Sequence, residues 1–450
     1  ELSFDELYPA RWSEWLDFIA PFCREKFKKT NTFRPGVKAA EYLVPATYGA
    51  IYKGANYPRL MGMDIRNGKY EEILDGFAVV EDYPFSSRYP LSRSIWQFTA
   101  FSMEAPKVRF LPQVWGLNAE TQDSRVVYSH PPYGISETPA GFFYTRLTEL
   151  LFDTAWFDGK KFHYWNGYGA LHSSQWTRAL FDSALAAFKL YRKIPPERPL
   201  RTPAYVYSRA ACDAHEYFYE KNENFIRGGS MVNTAEEFPA YVYEMARSDG
   251  QLGGFQTRME NLKGLTGKDV SCLVLPPLKG VPEKELREIR RLHREGVNLL
   301  CSEDASLLAG LFDTEHAQVL LEKDGKPFLT LKKNKNAFAA FFTGAPSMQK
   351  RARDRTGGSG QKALDPEVNA ATVHVMRLLG DYPLTATEGG SLTAFVGKDG
   401  ASYAFVRENA WPARGHLIRP KLLFHGKEAG DFALQEFESV FVKLPETTGI

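Results

Sequence analysis

The sequence predicts an α/β protein in three parts: parallel βα units, a doubly wound sheet and a small β-sandwich. Short apolar runs alternate with helical patterns up to residue 195 and again from 204 to 302, which is typical of parallel strands joined by helices. From about residue 315, turn sequences separate the apolar runs, as in antiparallel hairpins. Pro195, Pro196 and Pro199 predict a stiff linker between the first two parts.

The composition excludes several classes of protein. The 450 residues are 44% hydrophobic and 24% charged, which is ordinary for a globular chain of more than one domain. Lys and Arg number 56 against 54 acidic residues, so the charge gives no reason to bind nucleic acid or acidic membranes. No stretch approaches the roughly 20 apolar residues of a membrane helix. We expect a soluble protein of the cytoplasm or periplasm with neither nucleic acid nor membrane as a partner.

The four cysteines are far apart in the sequence. They are Cys23, Cys212, Cys272 and Cys301, and no two of them form a C-x-x-C pair. This spacing indicates neither a zinc site nor a disulfide framework. We therefore expect buried thiols, no bound metal and no cofactor.

The first part of the chain carries its polar and aromatic residues at the carboxyl ends of its predicted strands. In βα barrels that end of the strands holds the active site. Four βα units are half of an eight-stranded barrel, so this part is either a portion of a barrel or an open sheet. The strands are predicted at 41–49, 75–85, 108–116 and 161–169, and helices at 90–104, 141–156 and 176–191.

The second part contains a run, 269–276, that is apolar on both faces and therefore predicts a central parallel strand. A helix is predicted over 282–295 and the next strand over 298–302. Turn residues at 323–326 predict a hairpin. A helix at 366–379 precedes alternating strands with turns at 398–400 and 425–426, which indicate the β-sandwich.

The stretch DVSCLVLPPLKGVPEKELREIRRLHREGVNLLCS at 269–302 resembles the middle domain of the glycoside hydrolases of family 42, the β-galactosidase-like enzymes. The hairpin sequence at 323–344 and the DYP sequence at 82–84 are similar to features of the same family. The resemblance implies a partial (β/α)8 barrel of catalytic type at 1–195. It further implies a flavodoxin-like, trimerisation-like domain at 196–345 and a β-sandwich domain at 346–450. A carbohydrate substrate and a homotrimer are implied as well.

Glu81 and Asp82, in the sequence VVEDYPF, are the best carboxyl pair at a predicted strand end. Glycoside hydrolysis needs two carboxyl groups, about 5–5.5 Å apart in retaining enzymes and about 6.5–9.5 Å apart in inverting ones. Neighbours on a strand lie on opposite faces, so only one of the two can face a site. We predict Glu81 as acid/base or nucleophile, with Tyr83 tuning it; the alternative is an ion-paired strand terminus.

Aromatic and amide residues at the other strand ends suit a sugar ligand, because rings stack on C–H faces and amides bond hydroxyl groups. Trp165 is predicted as a platform and Asn166 as a hydroxyl-binding residue, with packing as the alternative role. Gln113 stands in the strand where the resemblance places a nucleophilic Glu. The remaining candidates for sugar contacts are Tyr48, Tyr83, Trp115, His130, Tyr164 and Tyr168.

Three functions remain open from the sequence. The first is a glycoside hydrolase that cleaves oligo- or polysaccharides by a two-carboxyl mechanism. The second is a catalytically inactive carbohydrate-binding or assembly protein, which the missing Glu favours. The third is an amidotransferase-like enzyme that uses Cys212 or Cys301.

Overall fold

The computed structural model describes four strand segments before residue 193 and most of the chain after it. The segments are 41–42, 77–82, 109–114 and 165–166. After them it describes residues 193–194, 196–215, 217–220, 230–246, 252–302, 308, 317–334, 336–343, 365–387, 390–408, 419–434 and 439–446.

The first sheet is parallel and has its strands side by side in chain order. They are β1 (Glu41–Tyr42), β2 (Phe77–Asp82), β3 (Arg109–Val114) and β4 (Trp165–Asn166). All three pairings are parallel, and each of the four predicted runs contains one of the strands. The prediction of parallel strands is therefore confirmed here, while the helices predicted between them lie outside the described residues.

The later strands form a seven-stranded mixed sheet, two antiparallel sheets and one two-stranded hairpin. They are β5 (Pro196–Pro199), β6 (Thr202–Tyr207), β7 (Tyr217–Glu220), β8 (Ser230–Asn233), β9 (Phe255–Arg258), β10 (Val270–Leu275), β11 (Asn298–Cys301), β12 (Ala317–Lys323), β13 (Lys326–Lys333), β14 (Phe338–Phe342), β15 (Leu384–Ala386), β16 (Gly390–Gly397), β17 (Ser402–Glu408), β18 (Lys421–Phe424), β19 (Lys427–Asp431) and β20 (Ser439–Lys443). The helices among them are α1 (Arg209–Ala214), α2 (Thr234–Glu244), α3 (Glu283–Arg294) and α4 (Pro366–Leu379), and a 3₁₀ helix covers Met259–Gly264.

The second sheet has seven strands in the order β12-β13-β14-β11-β10-β6-β9. Its five parallel strands run in the order second, first, third, fourth, fifth along the chain, which is one of the common orders of doubly wound sheets. Strand β10 lies in the middle and all six of its residues are buried, as its continuous apolar sequence predicts. The β12–β13 hairpin extends the sheet beyond β14 in antiparallel pairing.

Helix α4 has the predicted bounds but packs on the seven-stranded sheet, although it follows the predicted domain boundary at residue 345. Its apolar stripe, with Val375, Met376 and Leu379, belongs to the same buried core as β10 and β11. The side chain of Asn298, at the start of β11, donates from Nδ2 to the carbonyl oxygen of Leu379 at 2.7 Å. The helix is therefore a layer of the doubly wound unit.

Two antiparallel sheets at the end of the chain share one core. One has the order β20-β17-β16-β5 and the other the order β15-β18-β19. Leu392 and Val406 from the first sheet pack in one buried cluster with Leu384, Leu422 and Phe424 from the second. Two sheets that bury one face each against the other form a sandwich.

The proline-rich segment after residue 195 is a strand and not the predicted linker. Strand β5 pairs with β16, with Pro199 opposite Phe395 and Arg198 opposite Val396. Its position at the edge of the sheet explains why the prolines are tolerated, since an edge strand needs only half of its backbone groups paired. The chain thus contributes a strand to the C-terminal sandwich before it enters the doubly wound sheet.

Candidate functional site

Three predicted site residues occupy one row across the carboxyl end of the first sheet. The register pairs Glu81 of β2 with Gln113 of β3, and Gln113 with Trp165 of β4. Neighbouring strands lie about 4.8 Å apart. A carboxyl residue, an amide residue and an indole residue therefore stand at consecutive positions across three strands that are remote in sequence.

The next row along the strands holds Asp82, Val114 and Asn166. Residues in register share a face of the sheet, and successive residues of a strand lie on opposite faces. The two rows therefore belong to opposite faces. As neighbours on one strand, Glu81 and Asp82 occupy positions that alternate between the two faces.

The two faces also differ in the residues that precede these rows. On the face of Asp82, the earlier positions of β2 and β3 are Ala78, Val80, Phe110 and Pro112. All four are apolar, which is typical of a face covered by helices. The corresponding positions on the face of Glu81 are Phe77, Val79, Leu111 and Arg109, so the two faces differ at this level only by the charged Arg109. Arg109 is not at a predicted strand end, but strand alternation places it on the face of Gln113.

The structure thus brings Glu81, Gln113 and Trp165 into one row and places Asp82 and Asn166 in the other. The roles assigned to these five residues stay predictions. The other candidates lie outside the described residues: Tyr48, Tyr83, Trp115, His130, Tyr164 and Tyr168.

The described cysteines of the doubly wound unit are buried thiols. Cys212 and Cys301 are almost fully buried. Burial raises the pKa of the Cys301 thiol to about 12, and burial together with the nearby Cys301 raises the pKa of Cys272 further above its ordinary value. A thiol reacts as the thiolate, so the raised pKa disfavours reaction of Cys272 and Cys301 at neutral pH. This argues against the amidotransferase-like alternative.

Doubly wound sheets bind ligands outside the carboxyl ends of the strands at which the strand order reverses. In this sheet those strands are β6 and β10. Helix α1 follows β6 at once, and Gly280 in the loop after β10 lies directly against it. An added Cβ at Gly280 would come 2.8 Å from the carbonyl oxygen of Ala210. The two segments that leave the reversal point therefore pack on each other.

Within the described residues, no group of three or more His, Cys, Asp or Glu side chains is placed to hold a metal ion. In the same part of the chain, no helix is both long and apolar enough to cross a membrane.

Comparison with known proteins identifies structural relatives. No family model and no curated protein matches the chain. Among solved structures, Gan42B, a GH42 β-galactosidase from G. stearothermophilus, is 11% identical, with a TM-score of 0.50 over 96% of this chain and 68% of that one. The chain is similar in fold to a GH42 β-galactosidase.

Two further solved structures are glycoside hydrolases as well. A catalytic mutant of Gan42B matches with 12% identity and a TM-score of 0.48 over 96% of this chain and 67% of that one. An exo-β-1,4-mannosidase from Opitutaceae bacterium strain TAV5 matches with 12% identity and a TM-score of 0.43, over 83% and 70% of the two chains. The similarity to the GH42 β-galactosidase Gan42B concerns the fold alone and extends over nearly the whole of this chain.

Proposed function

We propose that the protein is a carbohydrate-active protein of the glycosidase type, with its sugar site at the carboxyl ends of β2, β3 and β4. The observation that carries the proposal is the row of Glu81, Gln113 and Trp165. The similarity in fold to a GH42 β-galactosidase supports it, because in barrels of parallel strands this end holds the active site.

Each residue of the row has a chemical role in this proposal. Glu81 supplies the carboxyl group, as acid/base or as nucleophile, and Trp165 offers a flat apolar surface for the C–H face of a sugar. Gln113 offers an amide that can both donate and accept hydrogen bonds. Hydrolysis by two carboxyl groups needs a partner for Glu81. Since strand alternation gives Asp82 a position of the opposite face, this proposal does not assign it as that partner.

The second candidate function is sugar binding without hydrolysis. One observation favours it: the position in register beside Glu81 is occupied by Gln113, so the row contains a single carboxyl residue. A retaining glycosidase needs its second carboxyl group about 5–5.5 Å from the first.

The proposal extends to the rest of the chain. We propose three domains, with α4 part of the flavodoxin-like one and β5 part of the sandwich; the flavodoxin-like domain is structural and the assembly is a homotrimer. The close approach of Gly280 to helix α1 at the reversal point and the buried thiols support a structural role for the doubly wound unit.

A panel of aryl glycosides tests the hydrolase. Turnover by the whole chain that Glu81→Gln abolishes supports hydrolysis, whereas no turnover, with sugar binding unchanged in Glu81→Gln, counts against it. Measurable binding of sugars with no turnover of any aryl glycoside supports the binding protein. If the chain neither turns over nor binds any sugar in the panel, both functions are excluded.

A further inference from the structure

Of the three residues in the row, Gln113 gives the most information about the chemistry of the ligand. It stands between Glu81 on one neighbouring strand and Trp165 on the other, in register with both. With strands about 4.8 Å apart, a carboxyl residue and an amide residue lie close enough to serve one small ring together. An ionised carboxylate only accepts hydrogen bonds, whereas an amide also donates two.

We infer that Gln113 is a specificity-determining residue: Glu81 and Gln113 recognise two different hydroxyl groups of the same sugar ring. This inference rests on the proposed function and names the ligand class, a sugar with both of those hydroxyl groups free. The hydroxyl group bound by Glu81 must be a donor. The one bound by Gln113 can be an acceptor alone, because the amide supplies the hydrogen.

The absence of charge on Gln113 contributes to recognition of the sugar. A second carboxyl group at this position would stand beside Glu81, and two close carboxylates raise the pKa of one of them because like charges repel. Below that raised pKa the protonated carboxyl group is a hydrogen-bond donor and can replace the amide. Above it, the pair carries two negative charges and offers the sugar no donor.

The first experiment measures calorimetric affinity of the whole chain for methyl β-galactoside, methyl β-mannoside and methyl β-glucoside, and for the deoxy and deoxyfluoro derivatives of the tightest binder. We expect two ring positions at which removal of the hydroxyl group weakens binding about tenfold to 100-fold. At one of them fluorine restores part of the affinity, and at the other it does not.

The variants then assign those positions. In Gln113→Met, which keeps the length of the side chain, removal of the fluorine-tolerant hydroxyl group should have no further effect. In Glu81→Met, which leaves no acceptor at this position, the same should hold for the other hydroxyl group. Val114→Thr, an isosteric change on the same strand but the opposite face, is the matched control and should bind like the unchanged chain. If the losses of binding free energy caused by Gln113→Met and by each deoxygenation simply add, the inference is overturned.

The second experiment uses Gln113→Glu and does not depend on the methionine variant. We expect it to bind the sugar as the unchanged chain does at low pH and to lose about tenfold or more as the pH rises, while the unchanged chain shows no such loss. Equal pH profiles for the two proteins would overturn the inference. If Glu81→Gln abolishes binding but no Gln113 variant alters it, the inference fails and the proposed function stands. If no methyl glycoside binds at all, the proposed function fails.

Discussion

The hydroxyl group of Tyr241 in α2 donates a 2.7 Å hydrogen bond to Oδ1 of Asn369 in α4. Both residues are buried, and the bond joins two helices that are 128 positions apart in sequence. It ties α4 to the doubly wound unit, although the helix lies beyond the domain boundary that the sequence predicts.

Tyr241→Phe should therefore lower the free energy of unfolding by about 1–3 kcal/mol, because it leaves a buried amide oxygen without its donor. Urea denaturation measures the loss. Tyr403→Phe is the matched control, since its hydroxyl group bonds the exposed carboxylate of Asp399, which water can solvate instead. Equal losses in the two variants would contradict the role assigned to the buried bond.

Asp365 should make the stability of α4 depend on pH. It caps the helix by accepting from the backbone N–H groups of Glu367 and Val368, and Nζ of Lys323 lies 2.8 Å from its Oδ2. Partial burial by itself would raise the pKa of Asp365, but the hydrogen bonds from Lys323 and the backbone outweigh it and lower the pKa below the usual range. A lowered pKa means that this stabilisation is present above the unfolded-state pKa of about 3.9 and is lost as the pH falls through the folded-state value.

Asp365→Ala should cost about 1 kcal/mol at pH 7, the usual value of a helix cap. Asp365→Asn keeps a capping oxygen and should cost less. Thermal unfolding from pH 7 to pH 2 should show the stability of the Asn variant converging with that of the unchanged chain at acid pH. If the difference in stability between Asp365→Asn and the unchanged chain is the same at every pH from 7 to 2, the ion pair of Asp365 with Lys323 is contradicted.

Gly280 should resist substitution more strongly than Gly325. Both have positive φ, +82° and +70°, which costs an alanine about 1–2 kcal/mol. Only Gly280 lies against another segment, helix α1, whereas nothing is within 4 Å of a Cβ at Gly325. Gly280→Ala should therefore lose about 3 kcal/mol or more in denaturant unfolding, as strain and overpacking add. Similar losses in both variants would show that the reversal point is not closely packed.

The buried thiols should not react in the folded protein. Cys212, Cys272 and Cys301 are all buried, and burial raises the pKa of the latter two. Iodoacetamide followed by peptide mass spectrometry should show these three alkylated only after denaturation. Rapid alkylation of Cys212 or Cys301 in the native chain would revive the amidotransferase-like alternative.

Local sequence signals predicted much of the fold. The continuous apolar run of β10, the helix at Pro366–Leu379 and the turn of the β12–β13 hairpin all follow from patterns within a few residues. Asp324 and Gly325 in that turn have φ values of 52° and 70°, as a tight hairpin requires.

Relationships between distant segments could not be predicted in the same way. The strand β5 depends on an edge offered by β16, nearly 200 residues later, and its prolines by themselves indicate a linker. The candidate residues at the strand ends were visible in the sequence. The pairing of Glu81 with Gln113 was not, because register is determined by how whole strands pack.

The central claim is that the site lies on the face of Glu81 and not on that of Asp82. The most direct test compares the affinities of Glu81→Gln and Asp82→Asn for the methyl glycoside that the unchanged chain binds most tightly. The two changes remove equal charges from neighbouring residues on opposite faces. We predict a loss of tenfold or more for Glu81→Gln and none for Asp82→Asn; the reverse result, or equal losses, would contradict the account.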